Sequence, residues 1–137
     1  MVAKKSTPKA AKLPCDKTAL VARILIVGLF AMSLFGKVTG FSGQAAYASS
    51  VVTWVPGELT ILVAIIMETI GVITILSGWR MSFGAGVLAA YTLLTVIFFH
   101  NFIIDGSQMV TALKNLSIMG GLLVLMMVDP GKYSFKG

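Results

Sequence analysis

Histidine and cysteine are almost absent from this chain, with one of each, His100 and Cys15, among 137 residues. A single thiol makes no internal disulfide, CxxC redox pair or four-thiolate metal site, and a lone histidine makes no zinc site or histidine-ligated haem pair within the chain. Acid is scarce too, five Asp and Glu against eleven Lys and Arg. Charged residues amount to 12% of the chain, about half the share of a soluble domain. No Gly-rich turn joins a strand to a helix, which excludes nucleotide binding of the P-loop or Rossmann kind. Nothing places a suitable serine and carboxylate beside His100 for a hydrolytic triad. The chain thus has no self-contained catalytic motif and no metal site, and any electrons passing through it need a bound cofactor or a partner.

Apolar residues are what the chain has in excess, 57% of its length, with a mean hydropathy of +0.93. They gather into four blocks, residues 18–36, 58–78, 83–102 and 109–128, separated by Gly, Pro, Ser or charge. Each is near the roughly 20 residues that a helix rising about 1.5 Å per residue needs to cross hydrocarbon. A closed β-barrel would need short alternating segments, and a soluble bundle would need polar outer faces; the blocks have neither. The expected fold is therefore all-α, a transmembrane four-helix bundle occupying residues 18–128, with tails at 1–17 and 129–137 and no room for a separate soluble domain.

Basic residues set the expected orientation. Lys4, Lys5, Lys9, Lys12 and Lys17 precede the first block, Arg80 lies between the second and third, and Lys132 and Lys136 follow the fourth. By the positive-inside rule both termini are cytoplasmic. Met1 to Lys17, with Pro8, Pro14 and its lysines, reads as a flexible tail that touches anionic lipid and lacks the apolar core of a signal peptide. It has no aromatic interleaving to suit nucleic acid, and Cys15 within it reads as inert. The longest connection, residues 37–57, suggests a short interfacial helix near Gln44 to Val52, with Tyr47 and Trp54 at headgroup level. Small residues four apart, Gly86 with Ala90, Ala85 with Ala89 and Ser117 with Gly121, mark strips where helices approach closely.

Polar residues inside the spans carry the functional argument. Glu68 lies ten residues, about 15 Å, beyond Glu58 and so close to the midplane. Arg23 enters the first span from the cytoplasmic side and Lys114 the fourth from the outer side, which makes them the two candidate counter-ions for Glu68. Lys37 closes the first span, and His100 and Asn101 close the third. Helical spacing puts Glu68, Gly71 and Ile75 on one stripe and Lys114, Ser117 and Gly121 on another, and the cost of charge in lipid favours both stripes pointing inward. Two readings stand together. One is an ion-paired network that fixes helix register with nothing bound. The other is a pocket in the outer half of the bundle, built from Lys37, Glu68, His100, Asn101, Lys114 and Asn115, in which His100 exchanges protons and Lys114 holds an anionic or quinone-type oxygen.

Several segments resemble the DoxX-like membrane proteins: Ala22-Arg23-Ile24-Leu25, Phe35-Gly36-Lys37-Val38-Thr39-Gly40-Phe41, Glu68 with Gly71, and Ser77-Gly78-Trp79-Arg80. The resemblance continues through Phe99-His100-Asn101-Phe102, Lys114-Asn115-Leu116-Ser117-Ile118-Met119-Gly120-Gly121 and Pro130-Gly131-Lys132-Tyr133-Ser134. It covers nearly the whole chain beyond the basic extension, and departs from the family pattern at Asp129, where a small residue is more usual. It implies a four-helix protein of the bacterial cytoplasmic (inner) membrane, with Arg23, Gly36-Lys37, Glu68, His100-Asn101 and Lys114-Asn115 at the family's polar positions. It also implies a tie to quinone-linked respiratory and oxidoreductase assemblies. The expected function is thus an accessory subunit of a membrane redox assembly with a quinone as ligand. The alternatives are a non-catalytic scaffold or assembly subunit and a small-solute transporter. Expected partners are the lipid bilayer, other membrane subunits and further copies of the chain.

Overall fold

The computed structural model describes residues 9–101 and 103–135. Five α-helices follow one another among these residues: α1 (Asp16–Thr39), α2 (Phe41–Val51), α3 (Gly57–Ser77), α4 (Met81–Phe99) and α5 (Met109–Leu125). A single 3-10 turn, Gly106–Gln108, leads into α5. Four helical segments, with the 3-10 turn counted into the last, are long and apolar enough to cross a membrane. The protein is an all-α bundle of four spanning helices, with α2 as a fifth, shorter element.

Local chemistry ends each helix. At Gly40 the chain turns directly from α1 into α2, and the Gly40 amide donates to the Gly36 carbonyl at 3.0 Å. Pro56 precedes α3, where a missing N–H costs nothing, and the Gly57 amide donates to Ser49 Oγ of α2 at 2.9 Å. A side chain at Gly57 would run into the Ala45 carbonyl, so α2 folds tightly onto the start of α3. Gly78 closes α3 in the left-handed region with φ of 79°, which only glycine adopts without strain. Its amide reaches back to Thr74 and Ile75 carbonyls, and α4 starts again within three residues.

That short turn makes α3 and α4 antiparallel neighbours. Helix α3 is the hub, packing against α1, α2 and α4, while α5 packs mainly on α4 and touches α1 only lightly. Val27, Phe30, Ile75, Met81, Leu88, Leu122 and Leu125 form the main core. Ala45, Ala48 and Ile61 form a smaller one beneath α2. Outward faces are apolar as well, with Leu25, Met32, Ile73, Val110 and Val124 all exposed. In water such a surface would be an aggregation hazard; in lipid it is the solvated face.

The two ends of the bundle differ. The loop end carries the α1–α3 connection with α2 and the α4–α5 loop. The terminal end gathers the start of α1, the α3–α4 turn and the last residues of the chain. There Ala11 pairs with the segment after α5, its amide donating to the Met127 carbonyl and its carbonyl accepting from Asp129, each at 2.8 Å. Asp129 also accepts from the Gly131 amide at 2.8 Å, which shapes the turn where the sequence departs from the family pattern. The Lys132 amide donates to Asp16 at 3.1 Å. Residues 1–8, with Lys4, Lys5 and the first part of the basic extension, lie outside the described residues, as do Phe102 and Lys136.

Candidate functional site

Arg23, Lys37 and Lys114 carry long cationic side chains within the spans, and helix geometry decides where each head group goes. Side chains lean toward the N-terminus of their own helix. Lys37 lies in the last turn of α1 and leans back into the membrane. Its Nζ donates to Ser33 Oγ, one turn deeper, at 2.5 Å. Glu68 on the antiparallel α3 leans the opposite way, toward the loop end. The two meet: Lys37 Nζ lies 3.2 Å from Glu68 Oε2 and donates to Oε1 at 3.4 Å. Oε2 is the nearer of the two oxygens, so the ammonium sits against the whole carboxylate. The counter-ion of Glu68 is therefore Lys37, and neither Arg23 nor Lys114.

Arg23, near the start of α1, leans toward the terminal end and away from Glu68. It is fully buried there. Its Nε donates to the Ile75 carbonyl at 2.8 Å, and its Nη2 to the Leu76 carbonyl. Its Nη1 donates to the carbonyls of Pro130 at 3.0 Å and Tyr133 at 2.8 Å. A guanidinium is suited to this work because its donors lie in a rigid fork. Arg23 thus caps the carbonyl end of α3, where a positive charge also meets the negative pole of the helix, and ties the C-terminal segment to it.

Lys114 is exposed. It stands in the second turn of α5, so its backward lean carries the ammonium toward headgroup level, as lysines near helix ends do. The inward face of α5 is Ala112 and Leu122, with Asn115 rather than Lys114 on the cavity side. Ser117 shares the exposed face, so the stripe of Lys114 and Ser117 does not point into the bundle. The α3 stripe does: Glu68, Gly71 and Ile75 are all buried.

A cavity of about 510 Å³ lies in the half of the bundle toward the loop end. Its walls are mostly apolar, from Leu29 and Phe30 of α1, Ile61 and Ala64 of α3, and Leu94 and Phe98 of α4. Lys37, Glu68, His100 and Asn115 line it, whereas Arg23, Asn101 and Lys114 do not. His100 marks the rim, where its Nδ1 donates to Gln108 Oε1 at 3.1 Å. Asn101 serves the loop instead, its Oδ1 accepting from the Ile103 amide at 3.0 Å.

Two lining residues, Tyr91 and Ser33, escaped the sequence reading, and a third, Trp54, was expected at headgroup level and not at the cavity. Tyr91 brings its ring centroid to 5.7 Å from Lys37 Nζ, within reach of a cation–π attraction. Ser33 holds the ammonium, and its position four residues before Lys37 was the available signal. Trp54 lines the cavity beside Phe98, ring centroids 6.1 Å apart, rather than serving only as a headgroup anchor.

Glu68 has a further peculiarity. Among the described residues its Oε2 is a buried side-chain oxygen whose one polar contact is the 3.2 Å ion pair to Lys37, with no further hydrogen bond. Buried polar atoms are nearly always satisfied, and one that is not marks a place for water, ligand or strain. Outside the spans, two groups are shifted. Hydrogen bonds from Thr18 push the exposed Cys15 thiol below its ordinary value, and those from Ser107 hold the Asp105 carboxyl down.

Residues 18–101 match the DoxX family. The chain is 40% identical over 119 residues to inner membrane protein YqjF of Escherichia coli (strain K12), covering 87% of this chain and 89% of the relative. It is 32% identical over 120 residues to inner membrane protein YphA of the same organism, covering 84% and 85%. No solved structure matches. With four spanning helices and two such relatives, the chain belongs to the DoxX family and is a multi-pass protein of the inner membrane.

Proposed function

We propose that this protein is a small ligand-binding subunit of a membrane redox assembly and holds a quinone-type molecule in the cavity between its helices. One observation carries the reading: an apolar cavity of about 510 Å³ whose wall includes a buried glutamate paired with a partly buried lysine. Pockets of roughly 300–1,000 Å³ with apolar walls and a few fixed polar groups are the usual form of small-molecule sites. A quinone suits this one because its ring and tail are apolar and its carbonyl oxygens can accept from Lys37. The family resemblance supplies the redox setting.

Quinone carried through mild detergent purification from native membranes tests the reading. Mass spectrometry of the extracted lipid is expected to find it in near-equal amount to the wild-type protein and in Lys114→Met, which changes an exposed residue. In Lys37→Met it should fall by about tenfold, the loss of one charge-assisted hydrogen bond. Equal quinone in Lys37→Met, or only bulk phospholipid in the wild type, sinks the proposal. A second reading, a scaffold whose ion pair only sets helix register, is favoured by the way Ser33 and Glu68 already hold Lys37. It predicts the phospholipid-only result.

A further inference from the structure

The cavity shares part of its wall with the lipid-facing surface of the bundle. Leu59 and Val63 of α3, and Leu94 and Phe98 of α4, line it and are at the same time exposed. They form two matched levels on antiparallel neighbours, with Leu59 and Phe98 at the loop ends of their helices. Val63 stands six residues beyond Gly57 and Leu94 five before Phe99, so both lie about 7–9 Å inside a hydrocarbon half-layer of roughly 15 Å. An opening at that depth faces acyl chains and not water. By contrast, α1 and α5 together supply one exposed wall residue, Leu29. Toward the terminal end α3 and α4 close on each other, Gly71 against Leu88 and Gly84 against Thr74. At the loop end α2 is held down by Ala45 and Ala48, buried against Ile61, and by Tyr47, whose ring centroid is 6.1 Å from that of Phe99.

We infer that the cavity opens sideways into the bilayer between the loop halves of α3 and α4, and takes in the hydrocarbon chain of a membrane-dissolved molecule. Apolar walls hold water poorly, and an unfilled space beside them forfeits dispersion contacts. Chains of the surrounding lipid stand at the mouth. Glu68, eleven residues beyond Gly57, marks a depth of about 16 Å, so the space reaches through about one leaflet. Lys37, Ser33 and Glu68 hold one another, and the pair leaves no net charge for a ligand to neutralise. A charged solute would meet an apolar mouth and be desolvated without a counter-charge. The inference concerns the same cavity as the ligand reading above, but it rests on the walls and holds whether or not the molecule is a quinone.

The test is photolabelling of the full chain in nanodiscs of a phosphatidylcholine that carries a diazirine midway along one acyl chain, with adducts mapped by mass spectrometry. Labelling is expected at the buried wall residues Phe30, Ala64 and Thr92, as well as at exposed Val110 and Val124. The double variant Val63→Trp and Leu94→Trp, which narrows the mouth at two exposed positions, should lower the buried labelling severalfold and leave Val110 and Val124 unchanged. Leu25→Trp, on the exposed face of α1 away from the cavity, should change neither. Adducts confined to exposed residues in the wild type overturn the inference. Buried labelling that survives the double variant undiminished overturns the route between α3 and α4. Buried labelling in a protein that retains no quinone from native membranes sinks the quinone reading and leaves this inference standing; quinone lost only in Lys37→Met, with no buried labelling, does the reverse.

Discussion

Arg23 does at the terminal end what no single backbone feature could. The carbonyls of Ile75 and Leu76 end α3, and those of Pro130 and Tyr133 follow α5; one guanidinium answers all four. Lysine keeps the charge but lacks the fork, so Arg23→Lys leaves some of these carbonyls without a donor. The expected cost is roughly 2–4 kcal/mol, from charged hydrogen bonds worth about 1.5–3 kcal/mol each and partial replacement by the ammonium. Reversible unfolding in mixed detergent micelles measures it, and protease cleavage after α5 should accelerate in the same variant. Wild-type stability in Arg23→Lys would show that the cap is ornamental. Glu68, a buried acid in an apolar span, was legible in the sequence as a residue that needs a partner. The identity of that partner was not, because distance along a helix axis ignores the lean of the side chains. Once the lean is included, Lys37 becomes the natural partner and Lys114 turns away.

At the scale of elements, close approach rather than burial of apolar area holds the bundle together, as expected where lipid is as apolar as the helices. Gly71 admits the Leu88 side chain, and Gly84 sits against Thr74, where an added Cβ would collide with Thr74 Oγ1. That hydroxyl is already committed to the Ile70 carbonyl at 2.7 Å. Gly84→Ala is therefore expected to destabilise by about 1–3 kcal/mol, the cost of overpacking. Gly28→Ala, the same change where nothing lies within 4 Å, should be neutral or slightly stabilising through helix propensity. Thermal unfolding of the two variants side by side decides it, and a loss at both positions would point to glycine flexibility instead of packing. The small residues near these contacts were visible in the sequence, including Ala85 and Ala89, both buried. Gly84 was not singled out, because its partner Thr74 comes from another helix and no spacing within α4 reveals it. The start of α2 at Phe41 was likewise illegible, since the chain passes from α1 into α2 at Gly40 with no loop between them.

For the whole molecule the property to test is orientation. The distribution of lysine and arginine predicts both termini on the cytoplasmic side. Cys15 is a convenient reporter, being exposed and the one cysteine of the chain, with a thiol pushed below its ordinary value by Thr18. More thiolate at neutral pH means faster alkylation. A membrane-impermeant maleimide is expected to spare Cys15 in intact spheroplasts and to label it rapidly in inverted vesicles. Labelling in spheroplasts would reverse the orientation, and with it the side of the membrane from which the cavity end is reached.

Hydropathy, helix length and scarcity of charge determined the class of this protein from the sequence alone, because a bilayer leaves an apolar chain of this kind few ways to satisfy its backbone. The same physics made Glu68 conspicuous, since an acid in hydrocarbon is costly wherever it stands. Tertiary structure alone decided the pairings. Which cation meets Glu68, which carbonyls Arg23 answers, and that Tyr91 and Trp54 line one cavity with His100 and Asn115 all depend on how helices face one another. Periodicity assigns a residue to a stripe on its own helix; the rotation and depth of that helix come only from close contacts such as Gly71 with Leu88 and Gly84 with Thr74.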